Sequence, residues 1–114
     1  MNSRLIRPLL MLPICLLALH THANSIAVLG AGNATCGEAL ARAAGKPAES
    51  QYVSSWVAGF ITGLNSVRGT KVGQNMSEDT YEQLWLAKCR IEKNIPKSLY
   101  EIGLQIYVDL MPKK

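Results

Sequence analysis

Histidine does not occur in this chain after residue 22, and cysteine occurs only three times, at positions 15, 36 and 89. Without histidine, residues 23–114 lack the Ser–His and Cys–His pairings that activate a nucleophile, and most zinc ligand sets. The cysteines are never spaced C-x-x-C, which argues against a redox-active pair. Long hydrophobic runs are scarce too. After residue 23 nothing approaches the roughly 20 apolar residues that a membrane-spanning helix needs. Twelve Lys and Arg against eight Asp and Glu form no basic stripe, so no nucleic-acid footprint is present.

What is present begins with a leader. Arg4 and Arg7 precede the apolar run Leu9–Leu19, and Thr21-His22-Ala23 offers a small-residue cleavage site. This is the pattern of a secretory signal peptide over residues 1–23. The run is about half a membrane span, and Pro13 interrupts it, so a retained anchor is disfavoured. Lipid attachment at Cys15 is disfavoured by the bulky Ile14 before it, and Ser25-Ile26-Ala27 is a second acceptable cut. Cleavage after Ala23 removes Cys15, His20 and His22 and leaves 91 residues. The formal charge then falls from +4 to +2, because Arg4 and Arg7 leave while all eight acidic residues stay.

An exported chain with two cysteines is expected to pair Cys36 with Cys89. Closing a loop of about 50 residues contributes roughly 4 kcal/mol in the chain-entropy account. For a single domain this small, that is a large share of the stability. The role expected of the bridge is structural.

Residues 24–34 read as an apolar, glycine-bearing leader to the first helix. Gly30-Ala31-Gly32 invites a dinucleotide-binding reading, but Thr35 stands where the third glycine belongs and no βαβ pattern follows. From Thr35 the signals turn helical. Thr35 and Glu38 have capping-box spacing, Ala39, Leu40 and Ala43 continue the helix, and Gly45-Lys46-Pro47 breaks it. Pro47 suits the start of a second helix. Its inner stripe is Val53, Trp56, Val57, Phe60, Ile61, Leu64 and Val67, at 3.6-residue spacing. Ser55, Gly59 and Gly63 line another face and are expected to let a neighbouring helix approach closely, in an internal contact or equally in a homodimer.

Residues 65–76 are polar and read as a loop. Ser77 caps a third helix with Glu78, Asp79 and Glu82 near its start and Lys88, Arg90 and Lys93 in its last turn. Tyr81, Leu84, Trp85 and Cys89 form its inner stripe, and Asn94-Ile95-Pro96 ends it. A fourth helix follows Ser98, with Glu101 in the capping-box position and Leu99, Ile102, Ile106 and Leu110 facing inward. The fold expected over residues 35–114 is all-α, a small four-helix bundle stapled by one disulfide.

Trp56 and Trp85 are expected in the core, with Tyr52, Tyr81, Tyr100 and Tyr107 as partly buried helix tyrosines. Ser54 and Ser98 have no histidine base, and no motif marks a Ser–Lys dyad. The acidic residues at 78, 79 and 82 read as first-turn helix charges, not a hydrolytic pair. Asn33 and Asn75 head glycosylation sequons, which matter only in a host that uses them. The sequence therefore assigns no catalytic residue, cofactor or metal, and a non-enzymatic role is expected. Loop 65–76 is the best contact surface, long for a helix connection and carrying Asn65, Arg68, Lys71, Gln74 and Asn75.

Certain of these residues form a larger pattern: Thr35-Cys36-Gly37, Trp56 through Asn65 with its Gly59 and Gly63, Leu84-Trp85 before Cys89, and Pro96. The pattern resembles small exported one-disulfide helical bacterial proteins over about 75 residues. These include the HdeA-like acid-stress chaperones and the periplasmic immunity proteins against type VI secretion amidases, of the Tai and Rap kind. The resemblance implies a helical bundle whose bridge joins two helices. It implies a protein partner, either a peptidoglycan hydrolase or unfolded clients. An acid chaperone gains from an exaggerated charge swing and lysine-rich tails. Here only eight acidic residues and the terminal Lys113-Lys114 serve that role. An immunity protein needs a rigid scaffold and one complementary surface that blocks a substrate groove. That inhibitor role against a cell-wall hydrolase is the leading expectation, with the chaperone or an envelope accessory role as alternatives.

Overall fold

The computed structural model describes residues 27–114. The expected signal peptide, residues 1–23, lies outside the described residues, as do Asn24, Ser25 and Ile26. The described chain is helical: a 3-10 turn Gly30–Asn33, then α1 Cys36–Ala43, α2 Pro47–Arg68 and α3 Glu78–Cys89. A second 3-10 turn, Glu92–Asn94, leads to α4, Leu99–Leu110. Among the described residues the only β pairing is one antiparallel bridge between Thr35 and Ser98.

The expected helix starts are all present: α1, α3 and α4 are each set by a local donor–acceptor exchange, and α2 begins at Pro47 without a side-chain cap. Thr35 Oγ1 accepts the Glu38 amide at 3.2 Å, and Glu38 Oε2 accepts the Thr35 amide at 3.1 Å. Ser98 and Glu101 repeat the box at 3.2 and 2.8 Å. The two boxes also sit side by side. The Cys36 and Gly37 amides donate to the Lys97 and Ile95 carbonyls at 2.8 and 3.0 Å, and the Leu99 amide donates to Ala34 O at 2.8 Å. Amide groups that a helix start leaves unpaired are thus satisfied by the chain entering the other helix.

Helix α2 is the axis of the bundle, packing on α1, α3, α4 and the first 3-10 turn. Val53, Val57 and Ile61 enter the core from α2, Tyr81 and Trp85 from α3, and Leu99, Ile102, Ile106 and Tyr107 from α4. Cys36 at the start of α1 is bonded to Cys89 at the end of α3, with Cα atoms 5.0 Å apart and both residues fully buried. Trp85 donates to Ser54 Oγ at 3.1 Å, and Ser54 donates onward to Ser50 O at 2.9 Å, so the buried indole has its partner. Lys88 and Asp109 form an ion pair between α3 and α4, but Asp109 is exposed and such pairs contribute little.

Four expectations need correcting. Val67 continues the α2 stripe in sequence but is 87% exposed, because the last turn of the helix has no neighbour over that residue. Helix α2 runs on to Arg68, four residues into the expected loop, and ends at Gly69 in the left-handed conformation (φ 65°). Helix α3 stops at Cys89, with Lys93 falling in the 3-10 turn beyond it. The small residues of α2 admit no other helix of the same chain: a Cβ built on Gly59 or Gly63 meets nothing within 4 Å among the described residues.

The close approach is made instead by Gly103 of α4, where a Cβ would lie 2.8 Å from Phe60 Cδ1. Substitutions at the two glycines should therefore act in opposite directions. Gly103→Val should destabilise by about 2 kcal/mol through overpacking, and Gly59→Ala should stabilise by up to about 1 kcal/mol through helix propensity. Urea denaturation of the two variants beside the parent protein measures both signs.

The described part of the leader, residues 27–34, is part of the globule. Trp56 Nε1 donates to Leu29 O at 2.9 Å, and the indole lies so close over Gly32 that a Cβ there would stand 1.9 Å from Cζ2. Gly30 has φ 66°, which glycine alone adopts without cost. The Gly-Ala-Gly sequence thus serves a turn and an indole contact.

Candidate functional site

The connection from α2 to α3 is short of regular structure but held from beneath. Asn65, in the last turn of α2, accepts through Oδ1 from the Val72 amide at 2.9 Å and from Thr70 Oγ1 at 2.6 Å. Its Nδ2 donates to Val72 O at 2.9 Å. Thr70 Oγ1 in turn pairs with the Tyr107 hydroxyl of α4 at 2.8 Å. Val72 buries its side chain, and the Tyr81 hydroxyl donates to Gly73 O at 3.1 Å. Gly73 has φ 70°, and a Cβ there would stand 2.3 Å from the Tyr81 oxygen, so two constraints require glycine. Burial pushes the Tyr81 phenol above its usual range.

The five residues expected to make a contact surface divide here. Asn65 is half-buried with its amide turned to Thr70 and Val72, so it shapes the loop from within. Arg68, Lys71, Gln74 and Asn75 are exposed. The Arg68 guanidinium stands 5.7 Å from the Tyr107 ring centroid, within reach of a cation–π contact. Between this loop and the end of α4 lies a cleft of about 400 Å³, lined by Lys71, Gln74, Leu110 and Met111 among others. Loop and helix end together make one continuous outward surface.

Asn65→Ala removes the centre of this network. Faster amide exchange at Val72 and a loss of about 1–2 kcal/mol in stability are the expected outcome, given the cost of unpairing partly buried groups. Exchange at Val72 unchanged from the parent would show that the loop is held by something else.

A second surface was not visible as a site in the sequence. Trp56 stacks on Phe60 (centroids 5.2 Å, interplanar 11°), and Phe60 meets Tyr100 of α4 edge-on at 5.3 Å. With Ala27–Leu29 of the leader and the bare Gly59, they line a groove of about 440 Å³ that contains no charged residue. Leu29 stands 80% exposed at its edge. Trp85 is the core tryptophan; Trp56 is half-buried and shared between leader and groove. The sequence signals for this groove were the apolar stretch just before Gly30 and the small-residue face at Ser55 and Gly59.

The remaining candidate chemistry is engaged in structure. Ser54 is buried between Trp85 and the Ser50 carbonyl, Ser98 and Glu101 are capping partners, and Glu38 caps α1. Glu78 accepts from Ser55 at 3.3 Å. No group of three or more His, Cys, Asp or Glu side chains able to hold a metal ion occurs among the described residues. No helix there is long and apolar enough to cross a membrane. What the arrangement offers chemically is a stapled scaffold carrying a pinned polar loop and a neutral aromatic groove. No protein-family model matches this chain, and no curated protein or solved structure shows significant similarity to it.

Proposed function

We propose that this is an exported, non-enzymatic protein that acts by binding another protein, as an inhibitor of a cell-wall hydrolase. One observation carries the reading: the loop after α2 is tied down through Asn65, Thr70, Val72 and Gly73 while Arg68, Lys71, Gln74 and Asn75 point to solvent. A loop ordered before binding loses little conformational entropy on contact, which favours a tight complex. The mixture of cations and amide side chains matches a polar substrate groove of the kind a hydrolase uses to hold peptide and sugar. The buried Cys36–Cys89 bridge agrees with export into an oxidising compartment.

The disulfide-bonded protein, used as bait at neutral pH on the native cell envelope, should retain one stoichiometric hydrolase through moderate salt. Joint replacement of Arg68, Lys71, Gln74 and Asn75 by alanine should abolish inhibition of that enzyme with the fold intact by circular dichroism. Full inhibition by the quadruple variant would remove the loop as the contact. Absence of any retained partner would remove the inhibitor reading.

A further inference from the structure

On the opposite side of α2 from its loop end, α1, the start of α2 and α3 enclose a cleft of about 590 Å³, within the size range of small-ligand sites. Leu40 and Leu86 give it an apolar floor, and Lys46, Glu82 and Arg90 stand around it with Ser50 in its wall. Two features here are unsatisfied. Helix α2, the longest among the described residues, begins at Lys46–Pro47 with no side-chain cap, so the positive end of its dipole opens beside a lysine. Ser50, one turn in, is only 5% exposed, and its hydroxyl has no hydrogen-bond partner. Ser54, one turn further, is fully bonded, so the deficit is particular to the serine that faces the cleft.

A buried hydroxyl without a partner costs free energy, and a serine hydroxyl reaches a new acceptor by rotation about one bond. Charge decides what kind of acceptor. Lys46, Arg90 and the helix end outweigh Glu82, while Glu49, the acidic residue of the first turn, lines a different recess beside Arg42. We propose that this cleft binds the carboxylate of an apolar acid. The carboxylate lies against the Ser50 hydroxyl and Lys46 at the start of α2, and the apolar body covers Leu40 and Leu86. A free aliphatic acid and the C-terminal carboxylate of a peptide ending in leucine both carry this chemistry.

The test is a titration of the ¹⁵N-labelled, disulfide-bonded protein, followed at the Ser50 and Leu86 amides. The probes are octanoate, octanol, an acetylated Ala-Leu dipeptide with a free carboxylate, and the same dipeptide amidated. Saturable shifts with an acid, absent with its neutral counterpart, are expected, and the acid that binds identifies the source. Ser50→Ala should weaken that binding about tenfold, the loss of one charge-assisted hydrogen bond, with the fold retained. Lys46→Gln should weaken it as well. No shift at millimolar acid, equal binding of octanol and octanoate, or binding indifferent to Ser50→Ala would each overturn the proposal.

Discussion

Replacing Cys36 and Cys89 together by alanine should cost about 4 kcal/mol and lower the melting temperature by on the order of 20 °C. The bridge joins residues 53 apart in sequence, so its loss frees a long closed loop in the unfolded chain. It also ties the first residue of α1, an eight-residue helix too short to persist unaided, to the last residue of α3. Both sulfurs are shielded from solvent, so a reductant should act on the native protein only at the rate at which the bundle opens. Thermal unfolding by circular dichroism, oxidised against reduced in one buffer, measures the first effect. Equal melting temperatures would show that helix packing alone holds the fold.

Trp85→Ala should be the most damaging single substitution in the helices, at about 3–5 kcal/mol. Trp85 is the largest fully buried side chain, and its removal leaves a cavity between α2 and α3. It also withdraws the indole donor from Ser54 Oγ at the buried centre of the bundle. Trp56→Ala should cost less, about 1–2 kcal/mol, because that residue is already partly exposed. Urea denaturation of both variants gives the comparison. A Trp56 loss equal to that at Trp85 would mean that the leader and groove are as much a part of the core as α3 is.

The contrast between these two tryptophans shows where a linear reading works. Both sit on apolar stripes of regular helical spacing, and periodicity treats them alike. Which one is enclosed depends on what lies opposite: α3 is packed along α2 on one side, whereas Trp56 meets the thin leader at Leu29–Gly32 and its own helix neighbour Phe60. Val67 makes the same point, since its spacing is right but its own side of the last turn of α2 is left open among the described residues. The glycines are the sharpest case. Gly59 and Gly63 are four apart, which reads as a packing groove, yet it is Gly103 that Phe60 presses against. Pairing of surfaces between separate helices leaves no periodic trace in either.

The candidate contact surface was half legible for a similar reason. Arg68, Lys71, Gln74 and Asn75 are where a polar, glycine-bearing connection puts them, at the surface. Asn65 has the same polarity but lies in the last helical turn, where its amide can bond the returning strand of the loop at Val72. Its role depends on the path the chain takes seven residues later.

What the sequence alone determined is therefore the local part: four helices, their starts at Thr35, Pro47, Ser77 and Ser98, most of their inner faces, and the pairing of Cys36 with Cys89. Caps, prolines and 3.6-residue spacing act within one or two turns, so they can be read without knowing the neighbours. The tertiary structure alone decided that the leader docks on Trp56, that Gly103 and not Gly59 admits a close contact, and that Asn65 pins the loop. It also decided that Ser50 is left unpaired in a cleft wall. Each of these depends on groups distant in sequence meeting at a few ångströms, and only the packed bundle sets those distances.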